Sequence, residues 1–330
     1  MNTLLIPPFF TRSMPRLLGL VALIGGLAGA LLSNPVQAID KWDYKLDLDY
    51  GMRYDQLSWN IAGNLAGTGP NVISELKWSD VGFHQTRLGF RFIGDDRWYV
   101  KGYTSNSWGF TGSNQDSDYN DDNRTSEFSR STADADRSSA EDFSIAIGQQ
   151  IRIDERIGIT PLVGFSNHRQ HFTMTNGQQT VCEASSEENT KSCGIGLGPF
   201  PGLNSSFKTH WRGPWLGLDL RMKTAKRWTT YAELEYHYSY YDAKANWNLR
   251  SDLLSQGQTA RGQGTHMGLG LSYALSTPNS FFNIGFKQSH YSTHAGTHNF
   301  YLANGTVSSQ RLNNVDWSSS MITIGITSQY

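Results

Sequence analysis

The sequence predicts an all-β fold, a ten-stranded antiparallel transmembrane β-barrel that is preceded by a cleaved signal peptide. Three observations predict it: an export signal at the N-terminus, long segments of alternating apolar and polar residues, and short turns that alternate with long polar loops. The composition agrees, because 10 Trp, 15 Tyr, 16 Phe and 33 Gly are typical of a β-rich chain. The formal net charge is −1 and no basic block occurs, so nothing indicates a nucleic-acid partner.

The N-terminus has the order of a secretory signal. Arg12 and Arg16 precede an apolar run over residues 17–32, and Ser33-Asn-Pro-Val-Gln-Ala38 follows as a cleavage box. We therefore expect residues 1–38 to be a signal peptide and residues 39–330 to form the mature barrel. The alternative is an N-terminal membrane anchor, but the run is rich in glycine and shorter than the ~20 residues that a span needs.

The first mature strand carries the clearest alternation. One parity is apolar: Trp42, Tyr44, Leu46, Leu48, Tyr50, Met52 and Tyr54. The other parity is largely charged: Asp43, Lys45, Asp47, Asp49, Arg53 and Asp55. Strands of soluble proteins usually run about 5 or 6 residues. The longer pattern, with aromatics at both ends, predicts a lipid-facing surface outside and a charged surface in the lumen.

The pattern recurs along the chain. Short turns near residues 94–96, 154–156, 224–226 and 277–279 each lead directly into another strand, which makes ten strands in all. The long polar connections are residues 60–74, 113–139, 176–207, 246–262 and 294–316. This is the layout of a bacterial outer-membrane barrel with five extracellular loops, so we expect a Gram-negative outer membrane with lipid and lipopolysaccharide as surroundings. A soluble sandwich or lipocalin-like barrel is the alternative, but the aromatic parity of the first strand would overfill a small lumen.

The stretch from Gly112 to Asp122 holds four carboxylates, and like charges are not buried together. We expect a solvated loop here. A calcium loop is a second interpretation, since Asp116, Asp118, Asn120, Asp122 and Glu127 stand at positions 1, 3, 5, 7 and 12 of a calcium-binding window. Position 6 of that window is Asp121 where glycine is expected, and no flanking helix is evident.

The ten strands and the Asp-Ser-Asp-Tyr-Asn-Asp motif resemble the omptins, the outer-membrane aspartyl proteases. Ser74-Glu-Leu-Lys-Trp78 resembles the start of their second strand, and Asp116 and Asp118 fall where that family carries an Asp-x-Asp pair. The resemblance implies a second catalytic pair, Asp and His, in the fourth loop. Those positions are Asn248 and Arg250 here, and residues 242–262 contain no histidine. A general base must accept a proton, which neither an amide nor a guanidinium does near neutral pH.

The segment from Tyr241 to Arg250 is similar to non-protease, omptin-related outer-membrane proteins named after Protochlamydia, some of them regarded as porins. We therefore expect a porin-like or structural surface protein without protease activity. The alternatives are an outer-membrane endopeptidase that uses Asp116 and Asp118 with a displaced histidine, or a calcium-binding, adhesin-like protein. The nearest histidines, His237 and His266, are expected to be polar residues of the lumen.

Two further sets of residues complete the predictions. Cys182 and Cys193 flank a polar segment, which in an exported protein predicts one loop disulfide, with free thiols as the alternative. His290, His294 and His298 are spaced by four, which on a strand is ~13 Å and too far for one metal ion. We expect these histidines to lie at the surface or the rim of the barrel.

Overall fold

The computed structural model describes residues 42–94, 96–183 and 196–330. The predicted signal peptide and Cys193 lie outside these residues, so both predictions stay predictions. No helix within the described residues is long and apolar enough to cross a membrane.

Within the described residues, fourteen strands form one antiparallel sheet. They are β1 Trp42–Ile61, β2 Ser74–Gly94, β3 Trp98–Tyr119, β4 Glu127–Asp134, β5 Ser139–Gln149, β6 Ile151–Arg152, β7 Ile157–Cys182, β8 Gly198–Pro199, β9 Asn204–Ala225, β10 Trp228–Asn246, β11 Leu253–Ala274, β12 Ser280–Thr293, β13 Gly296–Leu302 and β14 Val307–Gln329. A single-turn 3-10 helix covers Asp122–Arg124.

The sheet closes on itself. Leu48 of β1 pairs with Leu88 of β2 on one side and with Ile326 of β14 on the other. Because β4 with β5, and β12 with β13, each occupy one place in the ring, the barrel has ten positions around its circumference. The prediction of a ten-stranded antiparallel barrel is confirmed. The strands run well beyond the ~9–11 residues that a span requires.

Alternation within β1 has the predicted direction. Met52 and Tyr54 lie outside, each with 43% of its surface exposed, whereas Arg53 and Asp55 lie in the lumen with 3% and 0% exposed. Apolar side chains thus face lipid and charged side chains face the interior. The start of β2 at Ser74 also agrees with the predicted second strand.

Above the membrane, the inward positions of β1 change from charged to apolar residues. After Asp55, the inward positions of β1 become Leu57, Trp59 and Ile61, while Gln56 points outward. An apolar interior with a polar exterior is the pattern expected where the wall is surrounded by water. The change near Asp55 therefore marks the level at which the barrel leaves the membrane.

The upper lumen is filled by a cluster that we call the outer plug. Its large members are Leu57, Trp59, Leu76, Trp78, Phe83, Phe172, Phe207, Trp211, Tyr241, Tyr291, Leu312 and Trp317. Each of these side chains is at most 2% exposed. They come from strands on all sides of the ring, so the outer plug is the hydrophobic core that holds the extramembrane wall together.

Candidate functional site

The acidic pair lies on a strand, and the expectation of a solvated loop from residue 112 was wrong. Asp116 pairs with Leu76 of β2 and with Ser131 of β4, and the irregular connection covers only residues 120–126. Partners across a ladder share a face, and Leu76 belongs to the outer plug. Asp116 and Asp118 therefore face inward, at the top of the plug.

Asp116 is held in an unfavourable place for a charge. Its Oδ1 atom is buried and accepts no hydrogen bond from the described residues. Burial raises the pKa of this carboxyl well above its usual range, the neighbouring Asp118 raises it further, and Arg250 opposes the rise. A raised carboxyl pKa is common at functional sites, and it also arises wherever two acids share a poorly solvated position.

Arg250 stands across the outer end of the lumen from this pair, as the sequence comparison placed it. It follows β10, and its charge acts on both Asp116 and Asp118. Its Nε and Nη2 atoms donate to the carboxylate of Asp252 at 2.8 and 2.7 Å. The side chain is 55% exposed, so a permanently charged, solvated guanidinium occupies the position where an omptin would carry its histidine.

Asn248 has a structural task. Its Oδ1 accepts hydrogen bonds from the backbone N–H of Asn204 and from the Ser205 hydroxyl, at 2.9 and 3.0 Å. Its Nδ2 donates to the carbonyl of Gly202 at 2.8 Å. The amide thus fastens the connection after β10 to the beginning of β9.

Two residues of the predicted calcium window have partners elsewhere. Asp122 accepts a hydrogen bond from the backbone N–H of Asn71 at 2.7 Å, while Glu127 is paired with Arg130 on β4. Asp116 and Asp118 face the lumen. In the described part of the chain, no group of three or more His, Cys, Asp or Glu side chains is arranged to hold a metal ion.

Side chains from opposite walls meet in the outer plug. The rings of Trp59 on β1 and Phe207 on β9 lie 5.7 Å apart, and Trp78 on β2 lies 5.1 Å from Phe207. Since β1 and β9 are halfway round the ring from each other, this contact crosses the whole lumen. Tyr291 and Trp317 stack at 4.8 Å within the same layer.

Ion pairs fill the lumen below the plug. Arg53 of β1 bonds Asp55 and Asp142 at 2.7 Å, and Asp142 bonds His168 at 2.9 Å. Deeper still, Lys101 of β3 reaches Asp219 of β9 at 2.8 Å. The Arg53–Asp142 and Lys101–Asp219 pairs each join strands that are three places apart in the ring.

The expected lumen histidines are confirmed. His237 is 2% exposed and contacts Ser166 at 3.0 Å and Glu235 at 3.2 Å. His266 contacts Ser289 at 2.9 Å. Both lie deeper than the acidic pair and are engaged with neighbours in the lumen wall.

His298 does not lie at the surface, which corrects that prediction. It is 0% exposed, its Nδ1 contacts the Gln258 amide at 3.0 Å, and its ring packs 5.4 Å from Trp59. Burial lowers the pKa of His298 to about 3, so the ring is neutral. His290 and His294 are exposed, as expected. His298 is buried because β13 continues the barrel wall, and its side chains alternate between the two faces of the wall as in the other strands.

Comparison with known families decides the identity of the fold family. The family described as "Protochlamydia outer membrane protein", Pom, matches residues 47–330. The chain belongs to the Pom family. It is therefore an outer-membrane β-barrel protein, and the resemblance of its fourth loop to Protochlamydia-type proteins is confirmed. The chain matches no curated protein by sequence.

A solved outer-membrane protein shares this fold, and two others match it more weakly. The outer membrane protease OmpT from Escherichia coli is 15% identical to this Pom-family chain, with a TM-score of 0.72. The match covers 87% of this chain and 97% of OmpT. At that identity the likeness shows the fold alone. OprG from Pseudomonas aeruginosa is 13% identical over 87% of this chain and 95% of OprG, with a TM-score of 0.37. The translocator domain of NalP from Neisseria meningitidis is 10% identical over 96% of both chains, with a TM-score of 0.34.

The outer plug was missed by sequence reasoning, although a signal was present in this Pom-family chain. The charged parity of β1 turns apolar after Asp55, and Trp211 and Trp317 keep the inward parity of their strands. The outer plug could have been predicted by following the inward-facing positions of each strand beyond the segment that faces lipid.

Proposed function

We propose that this chain is a closed, structural surface protein of the outer membrane that neither conducts solutes nor cleaves peptides. The observation that carries the proposal is the contact of Trp59 with Phe207, 5.7 Å apart, across the full width of the lumen. An open porin needs a water-filled path, which small barrels lose when side chains fill the interior.

Two layers support a closed lumen. In the outer plug, large aromatic rings contact one another in the lumen, and such contacts exclude water. Beneath it, Arg53 and Asp142 form a buried ion pair between β1 and β5. Removing one partner of such a pair costs several kcal/mol, so ion pairs of this kind resist opening.

Single-channel recording in planar bilayers tests the closed lumen. The refolded protein should show no uniform current steps, and neither should a variant with Leu254→Ala, an exposed residue near the rim. Trp59→Ala with Phe207→Ala should introduce brief, irregular openings, because it removes the rings that meet at the centre. Regular steps from the wild-type protein would favour the porin-like alternative.

Arg250 and Asn248, at the positions opposite Asp116, accept no proton, which supports the proposed lack of peptidase activity. Arg250 is charged at all relevant pH values and Asn248 is tied to Gly202 and Asn204. A water held near Asp116 would have only a second acid, Asp118, as an alternative base. The endopeptidase alternative requires a displaced histidine, but His237 and His266 are bonded deeper in the lumen.

We also propose lipopolysaccharide as the partner of the outer wall. A basic patch lies just above the exposed aromatic residues Tyr236, Tyr238 and Tyr240 of β10. It comprises Arg169, His171, Lys208, His210, Arg212, Lys244 and Arg261, which share three neighbouring rows of outward positions on β7, β9, β10 and β11. The acids in these rows are Glu141 and Asp242.

The position of the basic patch fits an anionic glycolipid. Aromatic side chains mark the membrane interface, and the cations stand directly above it, at the level of phosphorylated headgroups. Arg212 lies over the ring of Tyr240, with 5.2 Å between its guanidinium carbon and the ring centroid. This contact holds the guanidinium next to the aromatic residues of the membrane interface. Arginine is well suited to bind phosphate with two parallel hydrogen bonds.

Lipopolysaccharide binding can be tested with a matched pair of triple variants. Arg169→Gln, Arg212→Gln and Arg261→Gln together should reduce the glycolipid that co-purifies with the protein. The control changes Arg97, Arg152 and Arg156 to Gln, which are exposed at the opposite end of the barrel. Equal amounts of bound glycolipid in the two variants would remove the basic patch as the binding surface.

A calcium-binding, adhesin-like role is the remaining candidate and stays a prediction; Asp122 is bonded to the backbone of Asn71 and Glu127 is paired with Arg130. The disulfide between Cys182 and Cys193 stays a prediction. Cys182 ends β7, so this bridge would close the tip of the connection to β9.

A further inference from the structure

The lower lumen contains a cavity of about 100 Å³. One water molecule needs ~10–15 Å³ of such space, so the cavity is large enough for a small polyatomic ion. Its lining includes Lys45, near the start of β1, and Arg221, Thr229 and Ser272, which lie within a few residues of the short turns. That end faces the periplasm in bacterial barrels.

The outer plug makes this cavity a blind pocket. The stacked pair Tyr291 and Trp317 lies above it, and the ion pair between Arg53 and Asp142 lies between the two. A ligand of the cavity would therefore come from the short-turn end.

The acids of the cavity are already neutralised. Arg91 bonds Asp47, Arg87 bonds Asp49 at 3.1 Å, and Lys287 bonds Glu233 at 2.9 Å. Lys101 bonds both Asp219 and Glu235, at 2.8 and 3.2 Å. Each carboxylate in this lining thus has a cation within ion-pair distance.

Two cations are left over at the mouth. Neither Lys45 on β1 nor Arg221 on β9 forms an ion pair among the described residues, although both line the cavity. The Lys45 ammonium lies 5.6 Å from the ring centroid of Phe281. The charges of Arg91 and Lys223 repel it, and those of Asp43 and Asp47 attract it. Lys45 and Arg221 lie on strands β1 and β9, which are halfway round the ring from each other, and both side chains line the cavity.

We propose that this mouth binds a small oxyanion of the phosphate class between Lys45 and Arg221. Cations from two walls line a pocket whose five acids are each paired, and the lining holds six cations, one more than its acids. Charge-assisted hydrogen bonds from an ammonium and a guanidinium suit a tetrahedral oxyanion, and Thr229 and Ser272 add hydroxyl donors. The surface faces the lumen and not lipid, which favours the free ion over a lipid headgroup.

Inorganic phosphate is the probe for this proposal. The refolded wild-type protein, in a zwitterionic detergent, should bind phosphate in isothermal titration and should unfold at a higher temperature in its presence than in chloride of equal ionic strength. Lys45→Gln and Arg221→Gln should each weaken binding about tenfold or more, since each removes a charge-assisted bond. Lys226→Gln, an exposed lysine at the same end that does not line the cavity, should bind like the wild type.

Folding of each variant is checked by its heat-modifiable migration in electrophoresis, and binding is measured a second time by broadening of the phosphate signal in ³¹P NMR. Phosphate binding that is absent in the wild type, or equal in Lys45→Gln, Arg221→Gln and Lys226→Gln, would overturn the proposal. Binding that appears only with vesicles containing phosphatidylglycerol would also overturn it, since that result would point to a headgroup at the outer surface.

Discussion

Arg250 holds Asp252 with two hydrogen bonds, at 2.8 and 2.7 Å, and its charge also acts on Asp116 on the opposite side of the lumen. The first interaction is local and solvated, and its hydrogen bonds lower the pKa of Asp252 to about 2. The second is an attraction over a longer distance, and it does not offset the rise in the pKa of Asp116 that burial causes. Arg250 therefore neutralises this end of the barrel and supplies no acid–base chemistry to it.

The Asp116→Asn variant should be more stable than the wild type at neutral pH. Burial and Asp118 raise the pKa of Asp116, so the folded protein binds its proton more tightly than the unfolded chain does. The penalty is complete above the raised pKa and vanishes below the unfolded value of about 4. We expect a gain on the order of 1–2 kcal/mol at pH 7, measured by urea unfolding in detergent micelles.

The gain from Asp116→Asn should disappear near pH 4, which separates it from a general packing effect. Asp252→Asn is the control, because its exposed carboxylate is already solvated and its replacement should change stability little. A loss of stability in Asp116→Asn at pH 7 would show that the carboxylate is well accommodated, contrary to its buried Oδ1 atom.

His298 should make the protein sensitive to mild acid. Burial lowers the pKa of His298 to about 3, while an unfolded histidine titrates at about 6.5, so the unfolded chain binds a proton that the folded protein rejects. Stability is therefore full above about pH 6.5 and falls as the pH drops toward 3, by up to about 1.4 kcal/mol per pH unit. His298→Gln should flatten this decline in urea unfolding measured from pH 7 to 4.

Exposed His294→Gln is the matched control for that experiment and should keep the wild-type slope. If His298→Gln has the same slope as the wild type, protonation of other groups governs the acid response.

Truncation of the outer plug should be costly. Trp211 is 0% exposed and its ring lies 4.5 Å from that of Tyr241 and 6.0 Å from that of Trp317. Trp211→Ala should cost about 3–5 kcal/mol, as is typical for large-to-small changes in a packed core. Leu254→Ala, at a position with 67% exposure, should stay within about 0.5 kcal/mol of the wild type. Similar losses in both variants would mean that the plug adds no stability beyond that of the strand ladders.

Asn248→Ala should loosen the outer end of the barrel. The change removes three side-chain bonds, to Gly202, Asn204 and Ser205, and leaves a carbonyl and an N–H without those partners. We expect a loss of about 1–3 kcal/mol and faster cleavage of this end by an added protease. Asn246→Ala, an exposed asparagine at the end of β10, should resist cleavage like the wild type. Equal cleavage of the two variants would contradict the fastening role of Asn248.

The barrel could be predicted from the sequence because lipid imposes strict alternation. Tyr50, Met52 and Tyr54 face lipid on every second position, and a closed sheet is required wherever no water can pair the backbone. Above the membrane this constraint ends. Either face of the wall can then be polar or apolar, so the change from charged to apolar residues at Leu57 and Trp59 was not recognised as a continuation of the strand.

The acidic pair shows a different limit. Several nearby carboxylates favour a solvated loop, and the stretch around Asp116 looked like one. The ladder to Leu76 and Ser131 overrides that local preference, because the register of β2 and β4 extends the strand and turns Asp116 inward. His298 was misplaced for the same reason, since its neighbour Gln258 becomes a neighbour only through the pairing of β13 with β11. Such pairings depend on tertiary structure and cannot be predicted from the composition of one segment.

The most direct test of the central claim, an omptin-like fold without omptin chemistry, is a peptidase assay on the purified, refolded protein. Peptides with paired basic residues are incubated with the wild type and with Asp116→Ala, with and without added lipopolysaccharide, and products are followed by mass spectrometry. We predict that neither protein cleaves above the rate of the buffer control, because Arg250 and Asn248 supply no proton acceptor opposite Asp116. Cleavage by the wild type that is lost in Asp116→Ala would contradict the account.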